Sequence, residues 1–166
     1  MELDLFYTAG SEQFKNIVTD KLRRVFKGLN VKDKGKLEVF DKAWEPDRRQ
    51  FDAYTLLDYT IRCMTSDYAL WVVDEDIYCE NVNFVFGLAM YNIAGVVSIF
   101  RLDSPEMVAK EAIHEVGHIL GLRHCKNRCV MQFSNTLEEA RKKPDTLCSK
   151  CHSILNRKII ETGQIM

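Results

Sequence analysis

The segment from residue 114 to residue 124 constrains this chain most, because it holds three of the four histidines. His114 and His118 are four residues apart in a run with helical spacing, so both imidazoles would lie on one helix face and reach one cation. Gly121 stands where that helix should end, since glycine tolerates the left-handed backbone that turns a chain back. We expect this turn to bring His124 toward the same cation.

Three neutral imidazoles leave the fourth position of a tetrahedral zinc open, which is typical of catalytic rather than structural sites. Glu115 is offset by one residue, so it is poorly placed as a ligand and well placed to take a proton from a zinc-bound water. Zinc lowers the pKa of such a water to roughly 7 and polarises a carbonyl. The segment predicts hydrolysis of a peptide or similar amide. The alternative, plain surface histidines, is disfavoured because glutamate and glycine also stand at the required positions.

Four of the six cysteines are crowded into the last third of the chain as two close pairs: Cys125, Cys129, Cys148 and Cys151. Such pairs are typical of a structural zinc held by four thiolates, which would tie the loop carrying His124 to the C-terminal helix. Three alternatives stay open: a redox-active set, unligated buried thiols, or Cys125 as a ligand of the catalytic zinc. Cys63 and Cys79 stand apart and are expected to be ordinary thiols.

The hydrophobic pattern predicts a single α/β domain, residues 1–166, with a mixed sheet. An N-terminal subdomain, 1–121, would carry the active-site helix, and 122–166 would form a small C-terminal subdomain. Apolar or alternating runs predict strands at residues 2–7, around 37–39, 68–73, 82–89 and 95–101. Helical spacing and capping residues predict helices at 12–28, 47–64, 105–120, from Thr136 onward, and 149–160.

Composition and net charge limit the classes of binding partner that we expect. The chain has 166 residues, 46% of them hydrophobic, and a formal net charge of -1. This balance gives no electrostatic reason to expect nucleic acid or an anionic membrane as partner. The first residues lack a signal-peptide pattern, and no apolar run approaches the ~20 residues of a membrane span. We therefore expect a cytoplasmic monomer whose cysteines are thiols or metal ligands.

Several stretches together resemble one known family, the archaemetzincins, metzincin-clan zinc peptidases found in archaea and vertebrates. They are H-E-V-G-H-I-L-G-L-R-H-C at 114–125, C-V-M at 129–131, S-N-T-L-E-E-A at 134–140 and C-S-K-C at 148–151. The likeness is close over residues 105–155 and less diagnostic over 68–101. Over residues 1–60 the likeness is limited to the order of the predicted strands and helices.

The resemblance implies two zinc ions per chain, one catalytic and one structural. Their implied ligands are His114, His118 and His124 for the first zinc, and Cys125, Cys129, Cys148 and Cys151 for the second. Glu115 would be the general base, and Met131 would pack beneath the histidines. The implied fold is a metzincin-like mixed five-stranded sheet with backing helices. Its antiparallel edge strand, at 82–89, would pair with an extended peptide or protein substrate along the cleft.

Two features depart from the family pattern. Three residues separate Cys125 from Cys129, where relatives often have four, so the loop geometry differs. Phe133 follows Met131, so a tyrosine that helps stabilise the transition state, as in some other metzincins, is not expected there. The leading hypothesis is a zinc metallopeptidase of aminopeptidase-like or limited specificity.

Two alternatives remain for the function. One is a zinc-binding or peptide-binding protein with latent or very weak proteolytic activity, against which the intact Glu115 counts. The other is an enzyme held latent by a terminus or loop over the cleft, although nothing in the sequence resembles a cysteine-switch prosegment.

Overall fold

The computed structural model describes residues 1–163. Within them the strands are β1 (Glu2–Tyr7), β2 (Asn30–Lys36), β3 (Trp44–Glu45), β4 (Gln50–Asp52), β5 (Tyr68–Val73), β6 (Ile77–Tyr78), β7 (Gly87–Met90) and β8 (Ala94–Ser98). The helices are α1 (Lys15–Val25), α2 (Ala53–Cys63), α3 (Pro105–Ile119), α4 (Leu137–Lys142) and α5 (Ser149–Gly163). Short 3-10 turns occupy Ala9–Phe14 and Asp41–Ala43.

The central sheet has five strands in the order β2-β1-β5-β8-β7. All neighbouring pairs are parallel except β7 and β8, which are antiparallel. Strand β7 is last in the order and is therefore an edge strand, and it lies beside the cleft. The expected mixed five-stranded sheet with an antiparallel edge is confirmed. A smaller sheet, β3-β4-β6, lies outside it.

Strand β5 explains why helices cover both faces of the sheet. Its sequence, Tyr-Ala-Leu-Trp-Val-Val, is almost wholly apolar, as is typical of a central parallel strand buried on both sides. Because side chains alternate along a strand, Leu70 and Val72 join one hydrophobic core, whereas Trp71 and Val73 join another. The first core includes residues of α1 and α3, and the second includes residues of α2.

The N-terminal half differs from the sequence-based expectation in three places. The strand expected around 37–39 lies instead at Asn30–Lys36. This run is charged and Val31 is its only buried side chain, so its hydrophobic pattern is too weak to indicate a strand. The helix expected at 12–28 starts at Lys15 and ends at Val25. The helix expected at 47–64 starts at Ala53, because the Asp52 carboxylate caps it and the preceding residues form β3 and β4.

The edge strand is shorter than expected. Only residues 87–89 of the 82–89 run belong to the strand that pairs with β8, Gly87–Met90, and residues 82–86 instead line the cleft as an irregular segment. The strand expected at 95–101 is Ala94–Ser98. Phe86 is buried and Ile99 is partly buried although both lie outside the strands, and periodicity alone does not distinguish such residues from strand residues.

The helix α3 begins and ends as its sequence predicts. The Ser104 hydroxyl accepts a hydrogen bond from the Met107 N–H, and Pro105 occupies the first turn. Gly121 has φ +92°, the left-handed conformation expected at the turn that follows. The helix expected from Thr136 is α4, capped by that threonine, and the helix expected at 149–160 is α5. No helix within residues 1–163 is long and apolar enough to span a membrane.

Candidate active site

The three histidines of the 114–124 segment meet at one point beside β7. The Nε2 atoms of His114 and His118 are 3.1 Å apart. His124 reaches them after the turn at Gly121, and one nitrogen from each ring lies within 4.8 Å of the other two. His114 and His118 are buried, whereas His124 is exposed.

The other nitrogens of the two helical histidines are tied to the backbone. Nδ1 of His114 donates to the Val130 carbonyl at 2.8 Å, and Nδ1 of His118 donates to the Leu122 carbonyl at 2.7 Å. A carbonyl only accepts, so both Nε2 atoms carry lone pairs and face each other at 3.1 Å. Two facing lone pairs repel unless a cation lies between them. This arrangement fits a metal ion, with carbonyls orienting its ligands.

The surroundings also keep the rings in the neutral form that a metal requires. Burial lowers the pKa of His118 to about 4. Burial, with the nearby Lys143 cation, holds the pKa of His114 well below its usual value. The pKa of His124 is lowered by the same two causes, in the same order. At neutral pH all three imidazoles therefore offer lone pairs.

Glu115 lies beside the histidines and is buried at 5% exposure. Burial raises the pKa of this carboxyl to about 8; the Glu111 charge raises it further and Lys143 opposes the shift. A carboxyl whose pKa is raised from its usual value toward the working pH is suited both to take and to return a proton. It fits only because residue 87 is glycine, since a Cβ there would lie 2.7 Å from its Oε1 atom.

Met131 lies beneath the histidine helix, where it is fully buried. A Cβ on Gly117 would collide with its sulfur, so the glycine between Glu115 and His118 makes room for this methionine. Met131 also accepts, through its carbonyl, a hydrogen bond from the Cys125 N–H at 2.9 Å. Its contacts are those of a packing residue.

The cleft in front of the histidines has a volume of about 580 Å³. Its walls are residues 81–89, the polar face of α3, and residues 133–135. The rings of Tyr91 and Phe133 stand at its mouth, 5.7 Å from His118 and 5.1 Å from His124 respectively, between ring centroids. Tyr91, which the sequence did not single out, thus lines the cleft and contacts the ring of His118.

Two buried charged residues in the cleft wall were also missed. Glu111 and Lys143 form an ion pair at 2.9 Å, and the Lys143 ammonium lies 3.4 Å from Nδ1 of His114. Glu111 is one helical turn before Glu115, so helical spacing could have found it. Lys143 follows α4, and no local pattern connects it with α3.

The four clustered cysteines form a second group. Cys125 and Cys148 have sulfurs 3.7 Å apart, Cys129 and Cys151 have sulfurs 3.8 Å apart, and all four lie within 4.8 Å of one another. These separations exceed a disulfide bond of about 2.05 Å and match the roughly 3.8 Å between thiolates around a tetrahedral zinc. Cys125 joins this group rather than the histidines.

Hydrogen bonds favour the thiolate form of Cys148, whereas burial raises the pKa of Cys129 and of Cys151. The Cys148 N–H donates to the sulfur of Cys129, and the Asn127 amide donates to the sulfur of Cys148. Burial opposes ionisation of Cys148, but N–H donors from Cys151 and Asn127 together lower its pKa to about 6. Cys63 and Cys79 are free thiols outside both groups.

Comparison with known proteins agrees with the geometry. Residues 55–157 match the family described as Peptidase family M54. The archaemetzincin of Nanoarchaeum equitans is 39% identical over 159 residues, covering 96% of this chain and 90% of that protein. A mixed sheet backed by helices, with this match, defines a zinc metallopeptidase.

Solved structures show the same fold. The crystal structure of archaemetzincin from Methanopyrus kandleri superposes with a TM-score of 0.86 at 33% identity, covering 96% of this chain and 95% of that one. A zinc-dependent peptidase from Methanocorpusculum labreanum gives a TM-score of 0.78 at 25% identity, covering 92% and 99%. The chain belongs to the archaemetzincins, peptidase family M54, and the resemblance stated from its motifs is confirmed.

Proposed function

We propose that this chain hydrolyses peptide bonds at the cleft, with zinc held by His114, His118 and His124 and with Glu115 as the general base. The observation that carries the proposal is the pair of facing Nε2 lone pairs at 3.1 Å, which calls for a cation between them. The glutamate next to that point in a buried wall supports hydrolysis over mere metal storage.

When bound, zinc supplies Lewis-acid polarisation of the scissile carbonyl and makes a water molecule more acidic. Glu115 takes a proton from the attacking water and later returns it to the leaving amine. The Val130 and Leu122 carbonyls hold the two helical imidazoles in the required tautomer and orientation. The chemistry is therefore that of a metzincin-type site.

We further propose that an extended peptide or protein binds along β7. This strand pairs with β8 on one side only, so its other edge offers backbone donors and acceptors to a substrate strand. Residues of β7 line the same cavity as the three histidines, which supports presentation of a scissile bond to them. Aminopeptidase-like specificity, a monomeric state, the absence of nucleic-acid partners and a cytoplasmic location stay predictions.

A second, structural zinc is proposed at Cys125, Cys129, Cys148 and Cys151. The sulfur separations near 3.8 Å and the N–H donors on the sulfurs support it. The redox and free-thiol alternatives fit less well, because all four sulfurs converge on one point without forming a bond.

The test of the catalytic proposal is Glu115→Gln in the full-length chain loaded with zinc. We expect cleavage of a broad peptide library to fall by at least about 100-fold, because the general base is lost. Zinc content should stay at the wild-type value, because Glu115 is not a ligand. Glu106→Gln, on the exposed first turn of the same helix, is the matched control and should cleave normally.

Two results would contradict the proposal. One is a zinc-loaded wild-type chain that cleaves no peptide in the library. The other is a Glu115→Gln variant that cleaves as fast as the control.

A further inference from the structure

The side chain of Lys143 is almost completely buried, at 1% exposure. A buried ammonium is costly unless a carboxylate and hydrogen bonds compensate it. Here the carboxylate is that of Glu111, itself 3% exposed, at 2.9 Å. The proposed reaction assigns neither residue a role, although both line the cleft.

Two consecutive residues of α3 contact Lys143, one at its side-chain ammonium and the other at its backbone carbonyl. Glu111 binds its ammonium, and the Lys110 ammonium donates to its carbonyl at 2.8 Å. Lys110 also donates to the carbonyls of Ala140 and Arg141, so the C-terminal end of α4 is fastened to the middle of α3. These contacts fix the start of the segment that leads to Cys148.

That segment in turn fixes an acceptor for a metal-site histidine. The Thr146 carbonyl, three residues after Lys143, accepts from the Val130 N–H at 2.8 Å. The Val130 carbonyl then accepts from Nδ1–H of His114, also at 2.8 Å. The contacts form a closed ring: from α3 to Lys143, along the chain to Thr146, across to Val130, and back to His114 on α3.

We propose that Lys143 is a positioning residue that closes this ring of contacts and thereby sets the zinc affinity of the three-histidine site. The inference rests on the proposed function, because it takes zinc at His114 as given. It adds a dependence of that site on a residue that is distant in sequence and does not touch the metal.

Electrostatic repulsion alone predicts the opposite effect of removing Lys143 on zinc affinity. The Lys143 cation lies 3.4 Å from Nδ1 of His114 and repels a dication at that ring, so removing it would strengthen zinc binding. Positioning predicts weaker binding, because the side-chain contact of Lys143 with Glu111 is lost and only the Lys110 hydrogen bonds still hold the segment that positions Val130 and His114. The sign of the change therefore separates the two effects.

The experiment measures zinc dissociation from the three-histidine site of full-length Lys143→Met by competition with a chelator. We expect affinity to fall about tenfold or more, the usual effect of removing a group that orients a ligand. Lys142→Met is the matched control, because Lys142 is exposed and pairs only with the equally exposed Glu138 in residues 1–163. Cobalt bound by the four cysteines, seen in its thiolate absorption, reports that the C-terminal region is folded.

A second variant covers the case in which Lys143→Met does not fold. Glu111→Gln with Lys143→Met removes both buried charges, so the net electrostatic change is small and the lost geometry remains. This variant should also bind zinc about tenfold more weakly.

Tighter zinc binding by Lys143→Met, or zinc affinity within about twofold of wild type in the folded variants, would overturn this inference and leave the proposed function standing. Failure of the wild-type chain to bind zinc at the three histidines would overturn the proposed function, and the inference with it.

Discussion

Gly87 shows how a single residue without a side chain makes the site possible. It starts the edge strand and lies against the Glu115 carboxylate, where a Cβ would come within 2.7 Å of Oε1. Gly87→Ala should push the carboxylate aside and lower peptide cleavage by about tenfold to a hundredfold, because small misplacements of a catalytic group are costly. Zinc content, measured by metal analysis, should not change.

The matched control is Tyr54→Ala, which changes an exposed side chain on α2, outside the residues that line the cleft. It should cleave at the wild-type rate. If Gly87→Ala were fully active, the tight fit around Glu115 would have no part in catalysis. A drop in bound zinc would instead mean that the substitution disturbs the histidines.

Residues of this site divide by whether local spacing reveals them. His114, Glu115, His118 and His124 lie within eleven residues, and helix geometry with the turn at Gly121 brings them together. Lys143 and Gly87 reach the site only through the packing of α4 and β7 against α3. A single sequence carries no periodic signal for such contacts, so they could not be predicted from it.

At the scale of elements, α3 carries most of the site, and its start depends on one hydroxyl. Ser104 Oγ accepts from the Met107 N–H at 3.2 Å. Ser104→Ala should lower the free energy of unfolding by about 1 kcal/mol in urea titrations, because this N–H loses its partner. Ser104→Asp should keep wild-type stability, since a carboxylate caps equally well. Equal stability of the alanine and aspartate variants would show that the cap contributes nothing.

The elements that the sequence predicted well are those whose signal is local and strong. The apolar run of β5 and the capped start of α3 fall where predicted. The strand β2 was misplaced because it is an edge strand with Lys and Asp on its exposed side, so burial of Val31 leaves only a weak pattern. Tertiary pairing with β1, rather than propensity, makes this segment a strand.

Across the whole molecule, the two proposed metal sites share a short stretch of chain. His124 and Cys125 are consecutive, and Cys125 is hydrogen-bonded to Met131, which packs under the histidine helix. The three-histidine site otherwise rests on α3, which is anchored in the larger core. The coupling should therefore be unequal, since the four-cysteine site organises His124 but does not depend on it.

Substitution of one ligand in each site tests this asymmetry. His118→Ala should keep about one zinc per folded chain, held by the four cysteines, with little loss of stability. Cys151→Ser should lose the structural zinc, lower the free energy of unfolding by several kcal/mol, and weaken zinc binding at the histidines as well. Cys63→Ser, which changes a partly buried thiol outside both groups, is the control and should keep two zinc ions.

Metal analysis and urea unfolding of the three variants give the answer. If folded His118→Ala held no zinc, the four cysteines would not be a metal site. If Cys151→Ser kept wild-type zinc affinity at the histidines, the two sites would be independent, and the His124-Cys125 junction would be only a coincidence of sequence. Loss of the structural zinc with weakened zinc binding at the histidines in Cys151→Ser, and one zinc retained in His118→Ala, is the result that the shared chain segment leads us to expect.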